Sequence, residues 1–535
     1  MNARKDTEEG MLVLNPLTRL RSKLRFHAEA LDRTPFLPLY CSAVLYVLFG
    51  ILWSRRPLWY DELITYYIAK SPSWAHMFGA LAKHDLNPPL QALLTGWSLR
   101  LFGDSDFAAR IPSFLAFGLA SYCVTRFVGS RLGRFYGLTA MLALWTTIFL
   151  DYSSEARPYA LMVAFFGVAI VSWQSFIDGR KPIPALIGIT LGISGVLMSH
   201  VFGCVLLLPL GGAEALRSWD RRRLDWKVWT AFLVPAPCLL IYIPMVRTYH
   251  NLASAYPPEF EASLLKAVTF FSEVLSHGGI YLFLALAGAI CLSSNDDTED
   301  HSTPLAFLRH EVALYVGLLS IPLLINLVLM MRGGAFWPRY AIGAGFGMSF
   351  AFAHLIAYAT GGSRSAAAVA ALILGAGIPL TRIVTPLMEP HKLNVTKRIS
   401  WPELDSKLPI VDASGLTFLE MNKRESREFL SRVYYLTDRD SAVRFAHATI
   451  FEAFDTLGNW FPIDAHIAPY REFTAESRHF FVLCTLNYPE DWLIGKLMHD
   501  GATLKFLGEV RAGYRDSMVF DVRLGDPESA ASPNK

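Results

Sequence analysis

Long apolar runs separated by short polar connections dominate the chain up to about residue 386. A helix that crosses the hydrocarbon core of a membrane needs about 20 apolar residues, and most of these runs approach that length. The pattern therefore predicts about eleven spanning helices. They lie at residues 36–54, 108–128, 135–151, 158–177, 183–199, 201–216, 228–246, 279–294, 312–331, 340–359 and 366–386.

Residues 88–102 form an ambiguous apolar segment with a polar stripe of Gln91, Thr95 and Ser98 opposite its leucines. A short helix with one polar face is typical of the membrane interface, so we expect this segment not to cross. Basic residues support that interpretation, because they then follow the positive-inside rule. The basic connections that fall on the cytoplasmic side are 126–134, 180–181 and 217–227. This arrangement predicts a cytoplasmic N-terminus and an outer C-terminus.

The two ends of the chain differ from the apolar middle. The first 35 residues are polar and basic, and no small-residue cleavage site follows the first apolar run, so we expect a cytoplasmic segment and not a cleaved signal peptide. Beyond residue 388, short apolar runs predict an α/β domain. Its predicted strands are 409–411, 433–436, 480–483, 503–507 and 519–522, with a helix at 492–500.

These patterns divide the chain into three predicted parts. A cytoplasmic segment covers residues 1–35, a transmembrane domain covers 36–387 with a first outer loop at 55–107, and a soluble α/β domain covers 388–535. The fold class is therefore an α-helical polytopic membrane protein with a C-terminal soluble α/β domain.

Composition agrees with a membrane protein. Of 535 residues, 53% are hydrophobic and 18% are charged, against about 25% charged in soluble domains. The formal net charge of +3 is small, and we expect no nucleic-acid partner. Six cysteines lie far apart and five of them fall in apolar runs, so no disulfide framework is predicted.

Polar side chains gather at the predicted outer ends of the spans. Asp61 and Glu62 follow the first span, close to the hydrocarbon of the membrane, where charged groups are disfavoured. A carboxylate pair this close to the hydrocarbon indicates an active site. If the helices bundle, the other outer segments meet this pair in one cleft. They contribute the further candidates His84, Asp85, Glu155, Arg157, Tyr159, His200, Arg339 and Tyr340.

Each candidate also has an ordinary structural interpretation. An outer carboxylate is usually solvated, and Glu62 can stabilise a helix N-terminus. Arg157 and Arg339 can anchor the chain at the interface, and a lone histidine at a span end is often a structural hydrogen-bonding group. The functional interpretation is a carboxylate that takes a proton or holds a divalent cation, with Asp61 and Glu155 as the candidate metal ligands, beside arginines that bind a phosphate.

Several segments occur in an order that is familiar from one family. They are Asp61-Glu62, Asn87-Pro88-Pro89-Leu90, Ala109-Arg110-Ile111-Pro112-Ser113, Ser154-Glu155-Ala156-Arg157-Pro158-Tyr159 and, less specifically, Pro338-Arg339-Tyr340. Together they resemble the GT-C glycosyltransferases, and in particular the bacterial branch similar to family 39 and to the dolichyl-phosphate-mannose protein mannosyltransferases, which includes the aminoarabinose transferases of lipid A.

The resemblance implies a transferase that moves a sugar from a polyprenyl-phosphate donor to an envelope acceptor (a lipid, a glycan or a protein) at the periplasmic face of the inner membrane. It implies that an acidic residue of the first outer loop, here Asp61, acts as the base or as a metal ligand. A second acidic position best matches Glu155, although some relatives carry that carboxylate at the position of Tyr159. Many relatives have His directly before Pro-Pro, where this chain has Asn87, with His84 three residues earlier.

Two other classes of protein compete with a transferase. A transporter or flippase for a lipid-linked or small solute would place polar groups near the bilayer midplane, often within inverted repeats, and the sequence has no such repeat. A scaffold for envelope assembly that binds through its C-terminal domain would leave the polar outer ends without a role. The donor sugar and the acceptor stay open at this point.

Overall fold

The protein is described by a computed structural model that covers residues 37–253, 261–276, 278–292, 308–384, 400–401, 404–405, 407–446, 450–484, 492–512 and 515–525. The predicted cytoplasmic segment 1–35 lies outside the described residues, and so does the predicted boundary between the second and third parts near residue 388. Helices make up the described chain up to residue 384, and one β-sheet with its helices follows.

Among the described residues, the membrane part contains seventeen α-helices, and each predicted apolar run overlaps one or two of them. Their bounds are α1 (Leu37–Trp53), α2 (Tyr60–Ala69), α3 (Trp74–Ala80), α4 (Leu90–Phe102), α5 (Asp106–Leu132), α6 (Arg134–Trp145), α7 (Tyr159–Ile177), α8 (Pro182–Ser199), α9 (Gly203–Asp220), α10 (Trp226–Leu233), α11 (Tyr242–Ala253), α12 (Leu264–Val274), α13 (Gly279–Leu292), α14 (Arg309–Leu319), α15 (Ile321–Arg332), α16 (Ala344–Ala359) and α17 (Arg364–Pro379).

The predicted count of about eleven spans is not confirmed. Among the described residues, five helices are long and apolar enough to cross a membrane, or up to seven if each of two bent pairs is one span. One such pair is α14 and α15, which meet at a bend of 50°. Pro322 occupies the first turn of α15, and proline lacks the N–H that would continue a helix, so the predicted run 312–331 is two helices. Helix α6 ends at Trp145 and gives way to a 3-10 turn at Ile148–Ser154.

Helix α4 is not among the candidate spans, in agreement with the prediction for residues 88–102. Its polar stripe is buried, however, where we expected a wet face. The amide of Gln91 donates to Thr95 Oγ1 (3.1 Å) and to Ser113 Oγ of helix α5 (3.3 Å). The exposed side is apolar, with Trp97 59% and Leu101 76% exposed. The amphipathic pattern was therefore correct and the expected orientation of the helix was wrong, because the polar side chains make hydrogen bonds inside the protein.

Helix α5 runs for 27 residues and joins two polar clusters at its opposite ends. Near its C-terminus, Arg131 pairs with Asp178 (2.9 Å) and Glu311 (2.7 Å). Near its N-terminus, Arg110 is fully buried beside the first loop. The second of these clusters lies next to the predicted outer candidates.

The C-terminal region contains a six-stranded sheet of order β3-β2-β1-β4-β6-β5. Strands β1 to β4 are parallel, whereas β6 pairs antiparallel with both β4 and β5. The strands are β1 (Ile410–Asp412), β2 (Val433–Thr437), β3 (His466–Pro469), β4 (His479–Cys484), β5 (Thr503–Ala512) and β6 (Arg515–Arg523). The helices are α18 (Gly415–Arg424), α19 (Arg427–Leu430), α20 (Arg439–Phe445), α21 (Tyr470–Glu476) and α22 (Trp492–His499).

The predicted strands are confirmed, and the sequence analysis missed β3. Strand β3 is an edge strand of four residues whose side chains are all at least partly exposed, so its sequence lacks the apolar run that marked the others.

The α/β region packs directly on the helices of the first loop. Tyr67 of α2 stacks on Phe461 with ring centroids 5.4 Å apart, and its hydroxyl accepts a hydrogen bond from the Asn422 amide (3.4 Å). The Lys423 ammonium lies 3.7 Å from the centroid of the Tyr66 ring. These aromatic and cation–π contacts hold the α/β region over the loop that contains Asp61.

Candidate active site

A cavity of about 1300 Å³ lies between the helix ends, the first loop and the α/β region. Eight of the ten candidates from the sequence line it, although they come from four separate parts of the chain. They are Asp61, His84, Asp85, Arg157, Tyr159, His200, Arg339 and Tyr340. The two that do not line it are Glu62 and Glu155.

Asp61 lies in the first turn of helix α2, where the positive end of the helix dipole favours a carboxylate. Its Oδ2 is 3.4 Å from Arg339 Nη1 and 4.0 Å from Arg157 Nε. The side chain keeps 19% of its surface exposed. Asp61 is thus a carboxylate between two guanidinium groups that a substrate in the cavity can reach.

Arg157 is held in place by three acceptors. Its Nη1 donates to Asp85 Oδ1 (2.7 Å), Thr65 Oγ1 (3.2 Å) and the Asp61 carbonyl (3.1 Å). Asp85 is positioned in turn by the Asn87 amide, which donates to the same oxygen (3.1 Å). Burial by itself lowers the pKa of Arg157, but Asp85 and Asp61 hold it well above its usual value. Its Nε is buried and makes no hydrogen bond to any described residue.

Arg339 is surrounded by aromatic rings. Its guanidinium carbon lies 5.3 Å from the Trp337 ring centroid, and 6.0 Å from those of Trp59 and Tyr340. Cation–π contacts of this kind hold a guanidinium without using its N–H donors. The Nε of Arg339 is buried and has no acceptor among the described residues. The cavity therefore contains a second guanidinium with an unused donor beside Asp61.

His200 is a neutral imidazole in this site. Its ring lies 5.2 Å from that of Tyr159, and its Nδ1 accepts the Phe202 N–H (3.2 Å). Burial lowers the pKa of His200 to about 3, and the charges of Arg157 and Arg339 act in the same direction. Because Nδ1 is an acceptor in the neutral ring, the proton is on Nε2, which is the donor.

His84 lies in the π-helical turn Leu81–Asp85, and its ring is 5.1 Å from that of Phe461 in the α/β region. Burial and the nearby charge of Lys83 lower its pKa to about 4, against the opposite effect of Asp455. Its Nε2 is buried without a partner in the described part of the chain. His84 is thus neutral, and it lies at the junction of the first loop and the α/β region.

Glu62 is enclosed by hydrogen bonds. Arg110 Nε donates to its Oε1 (2.7 Å) and Arg110 Nη2 to its Oε2 (2.6 Å), and the backbone N–H of Ala156 also donates to Oε1 (2.8 Å). Arg110 donates further to the carbonyls of Ser54, Arg56 and Pro57. This geometry does not match the catalytic role predicted for Glu62 and favours its structural interpretation, because the carboxylate is fully buried and used in joining three chain segments.

Glu155 is not among the residues that line the cavity, and its Oε1 lies 3.5 Å from Arg56 Nη2. Burial raises its pKa to about 8, and the neighbouring Glu62 adds to the shift, while Arg56 and Arg339 oppose it. Below that pH Glu155 is a neutral acid. Because Glu155 does not line the cavity, its catalytic role stays a prediction that these contacts do not test.

The raised pKa of Glu155 predicts a specific pH dependence of stability. The unfolded chain releases this proton near pH 4.5, and the folded chain retains it until about pH 8. The free energy of unfolding should therefore decrease as the pH rises from about 4.5 to about 8, because the folded state binds the extra proton. Thermal melts across this range should show a flatter profile for Glu155→Gln than for the wild type. Parallel profiles for the two proteins would contradict this assignment.

The residues around Asp61 fit a cationic side chain better than a divalent cation. Within the described ranges, no three His, Cys, Asp or Glu side chains are grouped to hold a metal ion. A guanidinium already lies 3.4 Å from Asp61, and the other predicted ligand, Glu155, lies outside the cavity. Divalent cations of this kind usually take six or more oxygen ligands. A divalent metal stays an untested prediction, and the mechanism below contains no metal step.

Several residues of the site escaped the sequence analysis. Trp59, Lys83 and Trp337 line the cavity, and Arg110 supports it from behind. The signal for Arg110 was present, because an arginine near the start of an apolar run needs a buried partner. The cavity residues that the α/β region contributes had no such signal. They include Asp438, Arg439, Glu452 and Asp455.

Comparison with known proteins adds a family match over part of the chain and a fold. Residues 86–247 match the family described as dolichyl-phosphate-mannose-protein mannosyltransferase. The chain matches no curated protein in sequence. The crystal structure of ArnT from Cupriavidus metallidurans in the apo state is similar, with a TM-score of 0.51 and 12% identity, over 94% of this chain and 100% of that chain.

The structure of the same ArnT bound to undecaprenyl phosphate has a TM-score of 0.49 and 12% identity, over 90% of this chain and 97% of that chain. The family match contains Arg110 and Arg157, and the likeness to the apo structure extends over the helices and the C-terminal sheet alike. The chain therefore shares its fold with ArnT in the apo state, and its residues 86–247 are similar to the dolichyl-phosphate-mannose-protein mannosyltransferase family.

Proposed function

We propose that this protein transfers a sugar from a polyprenyl-phosphate donor to an envelope acceptor at the periplasmic face of the inner membrane. One observation carries the proposal. A reachable carboxylate, Asp61, lies in one cavity with two guanidinium groups, those of the buried Arg157 and the partly exposed Arg339, and the Nε of each has no hydrogen-bond acceptor among the described residues. The description of the matched family, which names a dolichyl-phosphate-linked sugar, supports the same class of donor.

The two arginines would bind the phosphate of the donor. Charge-assisted hydrogen bonds from guanidinium groups are shorter and about twice as strong as neutral ones. As the bond between sugar and phosphate breaks, negative charge grows on the departing phosphate, and fixed guanidinium groups stabilise that charge. Apolar and aromatic side chains also line the cavity and would contact the first part of the lipid chain. They are Val201, Tyr242, Met245, Val246, Val328 and Leu329.

Asp61 would act as the general base. Its carboxylate takes the proton from a hydroxyl or amine of the acceptor, whose oxygen or nitrogen then forms the new bond to the anomeric carbon. The bond from that carbon to the phosphate oxygen breaks, and the polyprenyl phosphate leaves with the bonding electrons. A single displacement of this kind inverts the configuration at the anomeric carbon. Neutral His200, with its proton on Nε2, adds a hydrogen-bond donor to the cavity without adding charge.

The proposed orientation follows from charge sidedness. Basic connections on the opposite side of the membrane place the cavity and the α/β region in the periplasm. The proposed parts are the cytoplasmic segment 1–35, the transmembrane domain 36–387 and the periplasmic domain 388–535. Glu62 and Glu155, which do not line the cavity, would assist from outside it and would not contact the substrate.

Envelope mass spectrometry tests this proposal. A strain that lacks the protein should accumulate one polyprenyl-phosphate sugar and lose one decoration of its envelope, and the wild-type gene should restore both. The missing mass identifies the sugar, and the molecule that lacks it identifies the acceptor. Identical lipid and glycan profiles with and without the protein would contradict a transferase and would favour the competing transporter or flippase.

A further inference from the structure

The α/β region forms one wall of the cavity that contains Asp61. Its contribution comes from the carboxyl end of strand β2 with the start of helix α20, from the segment before β3, and from one residue each of helices α18 and α22. In open sheets with parallel strands, ligands bind outside the carboxyl ends of the strands. The polar lining residues from this wall include Tyr435, Thr437, Asp438, Arg439, Glu452 and Asp455.

This wall lies close to the catalytic carboxylate. Tyr60, directly before Asp61, stacks on Phe454 of the α/β region with ring centroids 6.4 Å apart. Phe454 directly precedes Asp455 in the chain, as Tyr60 directly precedes Asp61. The stacking of these two rings therefore connects the segment that contains Asp455 to the segment that contains Asp61. Asp455 also acts electrostatically on His84, whose Nε2 is buried without a partner among the described residues.

The wall is negatively charged, unlike the side that contains the two arginines of the site. Its charged lining residues are three carboxylates and one arginine, Arg439, which pairs with Glu452 at 3.0 Å. The carboxylate of Asp438 already has hydrogen bonds within the protein, because each of its two oxygens accepts one from Ser441. Carboxylates accept hydrogen bonds from hydroxyl groups and repel phosphate. The wall therefore fits an uncharged, hydroxyl-bearing group.

The cavity is large enough to hold an uncharged, hydroxyl-bearing group beside the donor. Sites for a single small ligand usually measure about 300–1,000 Å³, and this cavity measures about 1300 Å³. A donor phosphate at Arg157 and Arg339 would occupy one side and leave the α/β wall to the second substrate.

We infer that the α/β region forms the acceptor half of the cavity, and that the acceptor presents an uncharged carbohydrate segment to Asp455 and to the Arg439–Glu452 pair. This inference rests on the proposed transferase function and adds the chemical class of the acceptor. Asp455 and Arg439 are then residues that determine acceptor specificity, separate from the phosphate-binding arginines.

The test compares Asp455→Asn and Arg439→Ala with a matched control, Arg427→Ala. Arg427 lies in the same region and pairs with Asp464 at 3.3 Å, but it does not line the cavity. In a strain lacking the native protein, each cavity variant should lower the decorated fraction of envelope glycan by about tenfold, as loss of a hydrogen bond to a charged group predicts. The control should match the wild type.

A second measurement separates the acceptor from the donor. Undecaprenyl phosphate is titrated into the purified full-length protein, and binding is followed by the fluorescence of its tryptophans, three of which (Trp59, Trp337 and Trp492) line the cavity. The Kd should stay within about twofold for both acceptor-wall variants and increase about tenfold for Arg339→Gln, which removes a charged donor. Unchanged melting temperatures would confirm that the variants fold.

Each result decides between the two proposals. If decoration depends on the protein but both wall variants decorate normally, or if the added mass is on a peptide or a phosphate group, the acceptor inference is wrong and the transferase function stands. Weaker binding of undecaprenyl phosphate by the wall variants would likewise overturn it. Identical envelopes with and without the protein would remove the transferase function and this inference with it.

Discussion

Asp61→Asn is expected to abolish sugar transfer while leaving the protein folded. Asparagine has nearly the same shape but accepts no proton at neutral pH, and loss of a general base costs about 10²- to 10⁴-fold in rate. Asp61 is partly exposed in the cavity, and the described contacts of its carboxylate are ion pairs with Arg339 and Arg157. The measurement is the decorated fraction of the envelope in a strain that contains only this variant, together with the melting temperature of the purified protein.

Asp104→Asn is the matched control for this variant. Asp104 belongs to the same loop and pairs with Lys70 at 2.7 Å, but its side chain is 53% exposed and does not line the cavity. Transfer by Asp104→Asn should match the wild type. If Asp61→Asn restored full decoration, Asp61 would be a solvated loop carboxylate, and the base would have to be sought elsewhere in the cavity.

Glu62→Gln and Arg110→Gln are each expected to destabilise the protein strongly. The pair is almost completely buried and joined by two hydrogen bonds of 2.7 and 2.6 Å. Removing one charge leaves the other buried without compensation, which typically costs about 3–5 kcal/mol. We expect a large decrease in melting temperature and a low yield of folded protein for each single variant. The double variant should recover part of the loss, because neither charge then remains.

The contrast between the neighbouring residues is the informative result. Asp61→Asn should lose activity and keep stability, whereas Glu62→Gln should lose stability. A Glu62→Gln protein that melts like the wild type but transfers no sugar would instead support the catalytic role that the sequence pattern predicted for Glu62.

Much of the helical architecture could be predicted from hydrophobic periodicity. Every apolar run lies on a helix, because a run of this length satisfies its backbone polar groups within itself in a membrane. The number of spans could not be predicted in the same way. Proline and short turns divide runs such as 312–331, and neither hydropathy nor length shows how strongly the chain bends there.

The sequence predicted which residues belong to the site, but it did not predict the role of each residue. Eight of ten candidates line one cavity, because charged groups at span ends are costly and tend to be used. Asp61 and Glu62 look alike as sequence neighbours, but successive helix positions point about 100° apart, so one carboxylate lines the cavity and the other meets Arg110.

The sequence by itself determined the membrane class, the helical runs, the C-terminal strands and the residue types available for chemistry, because these depend on local composition and periodicity. Only the tertiary structure decided which partner each polar group found. It buried the stripe of Gln91 against helix α5, enclosed Glu62 with Arg110, and brought Asp455 from the distant α/β region to the cavity of Asp61. Such pairings join residues far apart in the chain, and their energies depend on burial and geometry that no local pattern contains.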